Sequence, residues 1–243
     1  MGCILKQGGG LYTRVRVAAV LLAAGQGHRM GDIPKSLIEL QGVPLINRQL
    51  IALSGGGVDE VVVVTGFYHD RVEPLVEQFP VRIVRNPKPE DGQASSVRIG
   101  IEALGDQYDA VIMALADQPL INAQDISRLI EAFKKRPHGE IVMPLVNGQR
   151  GNPIVLSGEA MKQILSSGQN MVCRKYMDQH PEMVYSFETS NNHFVLDIDA
   201  PADLEKFQIS TGWELKLPTL HQPEVNLSSH QAPNYLALQK LLS

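Results

Sequence analysis

Leu21-Leu22-Ala23-Ala24-Gly25-Gln26-Gly27-His28-Arg29-Met30-Gly31-Asp32-Ile33-Pro34-Lys35 is the stretch on which the fold of this chain turns. An apolar run from Val15 to Leu22, broken only by Arg16, leads into it and predicts a buried strand. The run stops at glycines 25, 27 and 31 and cations 29 and 35. A glycine-rich turn at the carboxyl end of a parallel strand brings bare backbone N–H groups against phosphate oxygens, because no Cβ blocks the approach. Arg29 offers a planar fork of donors and Lys35 a mobile point charge to the same oxygens. A simple turn explains a Gly-x-Gly pair by itself; two cations within ten residues of it point to a nucleoside triphosphate. A P-loop is excluded because Lys35-Ser36 follows Pro34 rather than glycine. A dinucleotide fingerprint wants an acid about 20 positions on, whereas the second strand, Val61 to Val64, arrives late and ends in Thr65-Gly66, which argues against NAD.

Outward from this stretch, strands alternate with helical patterns, the signature of a parallel sheet covered on both faces. The fold predicted is α/β, a Rossmann-like three-layer arrangement of a mostly parallel sheet with helices on both sides. Val58–Thr65, Val81–Arg85, Asp109–Ala116, Glu140–Val146 and Met183–Thr189 read as further strands. Pro44 is placed as the first residue of a helix to about Leu53. Helices are also expected over His69–Phe79, Ala94–Leu104, Glu159–Leu165, Met171–His180 and Pro201–Phe207, and Asn122 caps one that runs to about Lys135. Asn147-Gly148 is a hairpin turn signal. Three segments result: a loose leader over residues 1–14, one domain over 15–208, and an appendage over 209–243. The stretch 213–243 lacks glycine and ends in a short amphipathic pattern, Tyr235–Leu242.

With 243 residues, 44% of them hydrophobic and 20% charged, the chain is long enough to bury a sizeable core. A net charge of −4 argues against a dedicated nucleic-acid binder, which would show a basic stripe. Cys3 and Cys173 are too few and too far apart for a disulfide framework or a zinc site, so a reducing cytoplasm is the expected location. No stretch approaches the roughly 18 apolar residues of a membrane span. Residues 1–14 lack the apolar core of a signal peptide, and Lys6 spoils a myristoylation pattern.

Ligands of open α/β sheets sit outside the carboxyl ends of the strands. Asp117 stands there after Val111-Ile112-Met113-Ala114-Leu115-Ala116. An acid in that position is costly to bury without a cationic partner, and Mg2+ beside a triphosphate would be one, since it is held by one or two carboxylates plus substrate phosphates. Asp199 is the second candidate, with Asp197 close behind; capping of the turn before Pro119 or of the helix opened by Pro201 is the alternative for each. Ser95 and Ser96 lack the Gly-x-Ser-x-Gly elbow of a hydrolase; a helix start lined with hydroxyls suits a phosphate or a ribose. The seven histidines form no metal-ligand pair, and His28 reads as a solvated loop residue. Met161, Met171 and Met177 read as helix packing.

These pieces resemble the MobA-like nucleotidyltransferase family. The matching stretches are Leu22-Ala23-Ala24-Gly25-x-Gly27-x-Arg29-Met30-Gly31 with Lys35, Gly92-x-x-Ser95-Ser96-Val97, Asp117-Gln118-Pro119, Pro144 through Gly148-x-Arg150-Gly151-Asn152-Pro153, and Leu196-Asp197-Ile198-Asp199-Ala200-Pro201-x-Asp203-Leu204. The Ala-Ala-Gly at 23–25 is similar to molybdenum cofactor cytidylyltransferases; Asn152 stands where the family pattern carries histidine. The resemblance covers about residues 15–208. It implies attack by a terminal phosphate, such as that of molybdopterin, on the α-phosphorus of CTP, with pyrophosphate released and a molybdoenzyme as a possible partner. It also implies a nucleotide site of Ala23, Ala24, Gly25, Gly27, Lys35, Gly92, Ser95, Ser96 and Asp117. Arg29, Lys35 and Asp117 would be catalytic, and Asp117 and Asp199 would hold Mg2+. A sugar or polyol phosphate as acceptor, and a non-catalytic molybdoenzyme chaperone using residues 213–243, are the competing readings.

Overall fold

Val17–Ala23 forms the central strand, β1, because every residue from Val17 to Leu21 is apolar and buried, so both faces of the strand are covered. A computed structural model describes residues 14–168 and 171–218. After β1 come two short strands, β2 (Glu39–Leu40) and β3 (Val43–Pro44), then helix α1 (Leu45–Gly55), β4 (Glu60–Thr65), α2 (His69–Val76), β5 (Arg82–Arg85) and α3 (Gln93–Leu104). The second half comprises β6 (Ala110–Leu115), α4 (Ala123–Lys135), β7 (Ile141–Val146), β8 (Gln149–Arg150), β9 (Ile154–Ser157), α5 (Gly158–Ser166), α6 (Cys173–Gln179), β10 (Val184–Glu188), α7 (Pro201–Thr211) and β11 (Leu215–Lys216).

The main sheet runs β10-β7-β9-β6-β1-β4-β5, with β8 added to β7. β1 lies parallel between β4 and β6, with Val20 opposite Val62 on one side and Met113 on the other. β9 is the inverted strand, antiparallel to both β6 and β7. Only the β8 hairpin separates it from β7, and a parallel return needs a crossover of about a dozen residues or more. One sheet face packs on Leu50, Leu53, Val72, Val76, Leu129 and Phe133 of α1, α2 and α4. The other packs on Val97, Ile101, Leu104, Met161, Ile164, Tyr176 and Met177 of α3, α5 and α6. The three-layer, mostly parallel α/β arrangement is therefore as expected, and Met161 and Met177 are core residues.

A smaller sheet, β11-β2-β3, was not anticipated. Leu215 of β11 pairs with Leu40, and a third apolar cluster of Met30, Ile38, Leu40, Leu45, Ile198, Phe207 and Leu215 forms beneath it. β11 is drawn from the stretch read as an appendage. Two further expectations shift. α7 continues past Phe207 to Thr211 and is closed by Gly212 in the left-handed region (φ 74°). Pro44 is an extended residue (ψ 141°) preceding α1 rather than its first helical residue. The leader up to residue 13 and the pattern Tyr235–Leu242 lie outside the described residues.

Candidate active site

β1 delivers the chain to the carboxyl edge of the sheet at Ala23, where the glycine stretch begins. Gly27 makes the turn: its φ is 73°, and its carbonyl accepts from the N–H groups of Met30 at 2.8 Å and Asp32 at 3.2 Å. A Cβ at Gly27 would lie 2.2 Å from the Ile33 carbonyl oxygen, so no other residue fits there without moving the backbone. Gly25 has open space where its Cβ would be and faces the cleft. From below, Gly66 lets the end of β4 approach Ala24, and the Tyr68 hydroxyl donates to the Gln26 carbonyl at 2.9 Å.

The third apolar cluster decides where the cations go. Met30 and Ile38 lie one on each side of Lys35 in the chain, and both are buried against Ile198 and Phe207. That contact carries the loop of residues 28–38 across to the segment that holds Asp199, 164 positions from Lys35 in the chain. Asp117 follows β6, and its carbonyl accepts from Ile198 N–H at 3.2 Å, so strand end and segment are joined by backbone as well.

Lys35 Nζ sits between the two carboxylates, donating to Asp117 Oδ2 and, at 2.8 Å, to Asp199 Oδ1. Arg29 donates to Asp199 Oδ2 at 2.8 Å from the exposed rim. Burial works against the Lys35 ammonium, but Asp117 and Asp199 together outweigh it and hold its pKa above the usual lysine value. Desolvation likewise opposes the Asp199 carboxylate, and Lys35 with Arg29 still holds it below the usual value. Asp197 goes the other way, pushed up by desolvation and then by the like charges of Asp199 and Asp117. Asp117 Oδ1 is buried and has no hydrogen-bond partner among the described residues. No group of three or more His, Cys, Asp or Glu among the described residues makes a ready-made metal cage. A pair of convergent carboxylates with one oxygen unclaimed nevertheless fits a hard cation that takes its other ligands from phosphates and water.

A cleft of about 430 Å³ opens above this network. Ala23, Ala24, Gly25, Lys35, Gly92, Ser96 and Asp117 of the expected site line it, together with Phe67, Pro89 and Gln93. Gly27, Arg29, Ser95 and Asp199 do not reach its wall. The Ser95 hydroxyl is turned back on its own helix start, donating to the Gly92 carbonyl at 2.8 Å and accepting from Asn86 Nδ2 at 2.8 Å. Asn86 Nδ2 also donates to Ser96 Oγ at 3.0 Å. A second cavity of about 190 Å³ adjoins the first across Leu22, Gln93 and Leu115. Its wall includes Met113, Met143, Arg150, Asn152 and Arg174.

Three residues that the sequence left unremarked, and one that it did not follow up, hold the site together. Gln118, 1% exposed, donates through Nε2 to the carbonyls of Asn152 at 3.0 Å and Phe194 at 3.3 Å, tying the Asp117 turn to both neighbouring loops. Asp125, on the first turn of α4, is 2% exposed and accepts from Asn191 Nδ2 at 2.6 Å and from His193 Nδ1 at 2.8 Å. The Asn122-x-x-Asp125 spacing is the one local signal that marks Asp125, which closes the reciprocal half of that cap. Nothing local links it to Asn191 and His193.

The MobA-like NTP transferase domain family matches residues 19–184. The bifunctional protein GlmU of Mycobacterium marinum is 37% identical over 121 residues, 47% of this chain and 25% of that protein, so the chain spans about a quarter of such a relative. Nicotine blue oxidoreductase of Paenarthrobacter nicotinovorans is 29% identical over 189 residues, 75% of this chain and 92% of that one. Among solved structures, a nucleotidyl transferase from Methanothermobacter thermautotroptrophicus superposes with a TM-score of 0.67 at 24% identity, covering 80% of this chain and 97% of its own; it shares the fold.

Proposed function

The chain belongs to the MobA-like NTP transferase family, and from that premise we propose that it moves CMP from CTP to the terminal phosphate of a molybdopterin-type acceptor. The observation that carries this is the convergence of Asp117 and Asp199 on Lys35, with Lys35 and Asp117 lining a cleft that the glycine stretch also borders. The triphosphate lies along Ala23–Gly25 with the Lys35 ammonium directed at its oxygens, and the start of α3 at Gly92 and Ser96 closes the other side. The adjoining cavity, with Arg150 and Arg174 in its wall, receives the acceptor phosphate.

An acceptor phosphate oxygen forms the new bond to the α-phosphorus, the bond from that phosphorus to the bridging oxygen breaks, and pyrophosphate leaves with the electron pair. The nucleophile is already anionic, so no general base is needed. Catalysis is then a matter of alignment and of cations placed where charge accumulates. Lys35 and Arg29 supply that from the chain. Mg2+ held by Asp117 and Asp199 would neutralise the phosphate oxygens further.

The test is a screen of CTP, GTP, UTP and ATP against molybdopterin and a set of sugar and polyol phosphates, with pyrophosphate release measured. CTP with molybdopterin is expected to react, and Asp117→Ala to slow it by roughly 100-fold, the scale of losing one electrostatic stabiliser. A preference for GTP removes the base assignment, and release with a sugar phosphate alone selects the other acceptor class. Since one relative is named an oxidoreductase, NADH and NADPH form a further arm. Their oxidation without any pyrophosphate release refutes nucleotidyl transfer.

A further inference from the structure

The two carboxylates proposed to hold the metal already have a cation between them. Of their four oxygens, Asp117 Oδ2 and Asp199 Oδ1 accept from Lys35 Nζ and Asp199 Oδ2 accepts from Arg29. Asp117 Oδ1 alone has no hydrogen-bond partner among the described residues, and it is buried. Lys35 is anchored at its backbone by a tight turn, with Ser36 and Leu37 buried behind it. Its side chain is only 19% exposed, so the ammonium fills the space where both carboxylates converge. A divalent ion demanding near-octahedral oxygen geometry has no room beside it, and the like charges repel. The four-carbon stem of lysine is flexible, and Lys35 lines the wall of the nucleotide cleft. Anionic phosphate oxygens in that cleft compete with the carboxylates for its ammonium.

We infer that Lys35 is a placeholder for the divalent cation: the Asp117–Asp199 pair is closed to metal until nucleotide phosphates draw the ammonium away, so metal and nucleotide enter together. The inference rests on the nucleotide reading of the same cleft. Lysine in this place then has two uses, neutralising buried carboxylates before binding and phosphate oxygens after it. The sequence of events also prevents a free divalent ion from occupying the carboxylates in a geometry that the triphosphate cannot join.

The experiment measures Mn2+ binding to the full chain by electron paramagnetic resonance, without nucleotide. Lys35→Met removes the charge at nearly constant length and is expected to bind Mn2+ at least about fivefold more tightly than the parent, the lower end of couplings between sites. Lys35→Gln, which keeps a donor without the charge, gives the same gain and serves if the methionine variant does not fold. Arg29→Met discriminates local displacement from a general change in charge, because Arg29 is 72% exposed and touches Asp199 only at its outer oxygen. It is expected to leave Mn2+ affinity within about twofold of the parent. Affinities of the Lys35 variants within about twofold of the parent, or an equal gain from Arg29→Met, overturn the proposal. Calorimetric titration of the parent with CTP in Mg2+ tests the nucleotide reading separately. Its failure leaves the Mn2+ comparison standing.

Discussion

Replacing Asp125 by alanine tests whether the second carboxylate of the site is positioned from a distance. Asp125 is 2% exposed and accepts from Asn122 N–H at 3.1 Å, Asn191 Nδ2 at 2.6 Å and His193 Nδ1 at 2.8 Å. His193 must carry its proton on Nδ1 to donate there. Truncation strands three donors. The Asn122 bond is half of a helix cap, worth about 1 kcal/mol. The other two end on a buried carboxylate, and bonds to charged groups contribute about 1.5–3 kcal/mol each when fully sheltered. Asn191 and His193 are half-buried, so water recovers part of that, and the whole loss comes to about 3 kcal/mol. For a chain of this length that is a fall of about 6–12 °C in Tm. Urea unfolding followed by circular dichroism is expected to show a lower midpoint with an unchanged slope. Asp125→Asn keeps one acceptor oxygen and is expected to lose about 1 kcal/mol. The effect should reach the site, because Phe194 between the clamp and Asp199 accepts from Asn152 N–H at 2.8 Å and from Gln118. Nucleotide affinity should fall about tenfold or more, since small misplacements near a reacting centre are costly. A Tm within about 2 °C of the parent would refute the energetics. A full stability loss with unchanged nucleotide affinity would refute the claim that the clamp positions Asp199.

Stability should depend on pH with a definite sign. Desolvation disfavours the Asp199 carboxylate, but Lys35 and Arg29 depress its pKa below the usual 3.8, so its contribution is present above that value and is lost as pH falls through the folded pKa. Lys35, opposed by burial but raised by Asp117 and Asp199, contributes below 10.5 and loses that contribution as pH climbs through its higher folded value. Thermal unfolding from pH 3 upward is expected to show a declining acid branch that Lys35→Met flattens; identical acid branches would break the assigned pairing. Gly100→Ala should destabilise, because its Cβ would lie 2.4 Å from Val20 Cγ1 and 3.1 Å from Val64 Cγ2, both on fully buried strand residues. Overpacking of about 1–3 kcal/mol outweighs a helix-propensity gain of about 1 kcal/mol, and the urea midpoint reads the difference.

Much of the main sheet was legible because its signal is local. Strands buried on both faces are continuous apolar runs, so the runs holding Val20, Val62 and Met113 were readable as strands, and the structure pairs them side by side. Asn147-Gly148 gave the hairpin because both residues need positive φ, 50° and 82° here. The inverted β9 followed from no periodicity at all, only from the shortness of its connection. The small sheet was illegible for a different reason. β2, β3 and β11 are two residues each, too short to show alternation, and Leu40 meets Leu215 across most of the chain. Yet that sheet roofs the cluster that seats Lys35 beside Asp199. The Asp125–His193 pair is equally non-local, separated by 68 positions.

The residues legible as chemistry and those legible as fold are therefore different sets, and the site lies where they meet. Lys35, Asp117 and Asp199 could be suspected singly, because a charge at a strand end or in a glycine stretch needs a partner. What the sequence could not give is which partner. The structure answers with a lysine shared by two carboxylates, the least exposed cation of the network at 19%. Three charged side chains in such a place cost desolvation that their mutual attraction only partly recovers. Met30, Ile38 and Phe207 offset that cost through apolar burial around the network. Weakening that cluster should loosen the charges before it unfolds the sheet, since α1 through α6 pack on two separate cores. Local stability at residues 28–38, rather than global stability, then sets how readily Lys35 changes partners.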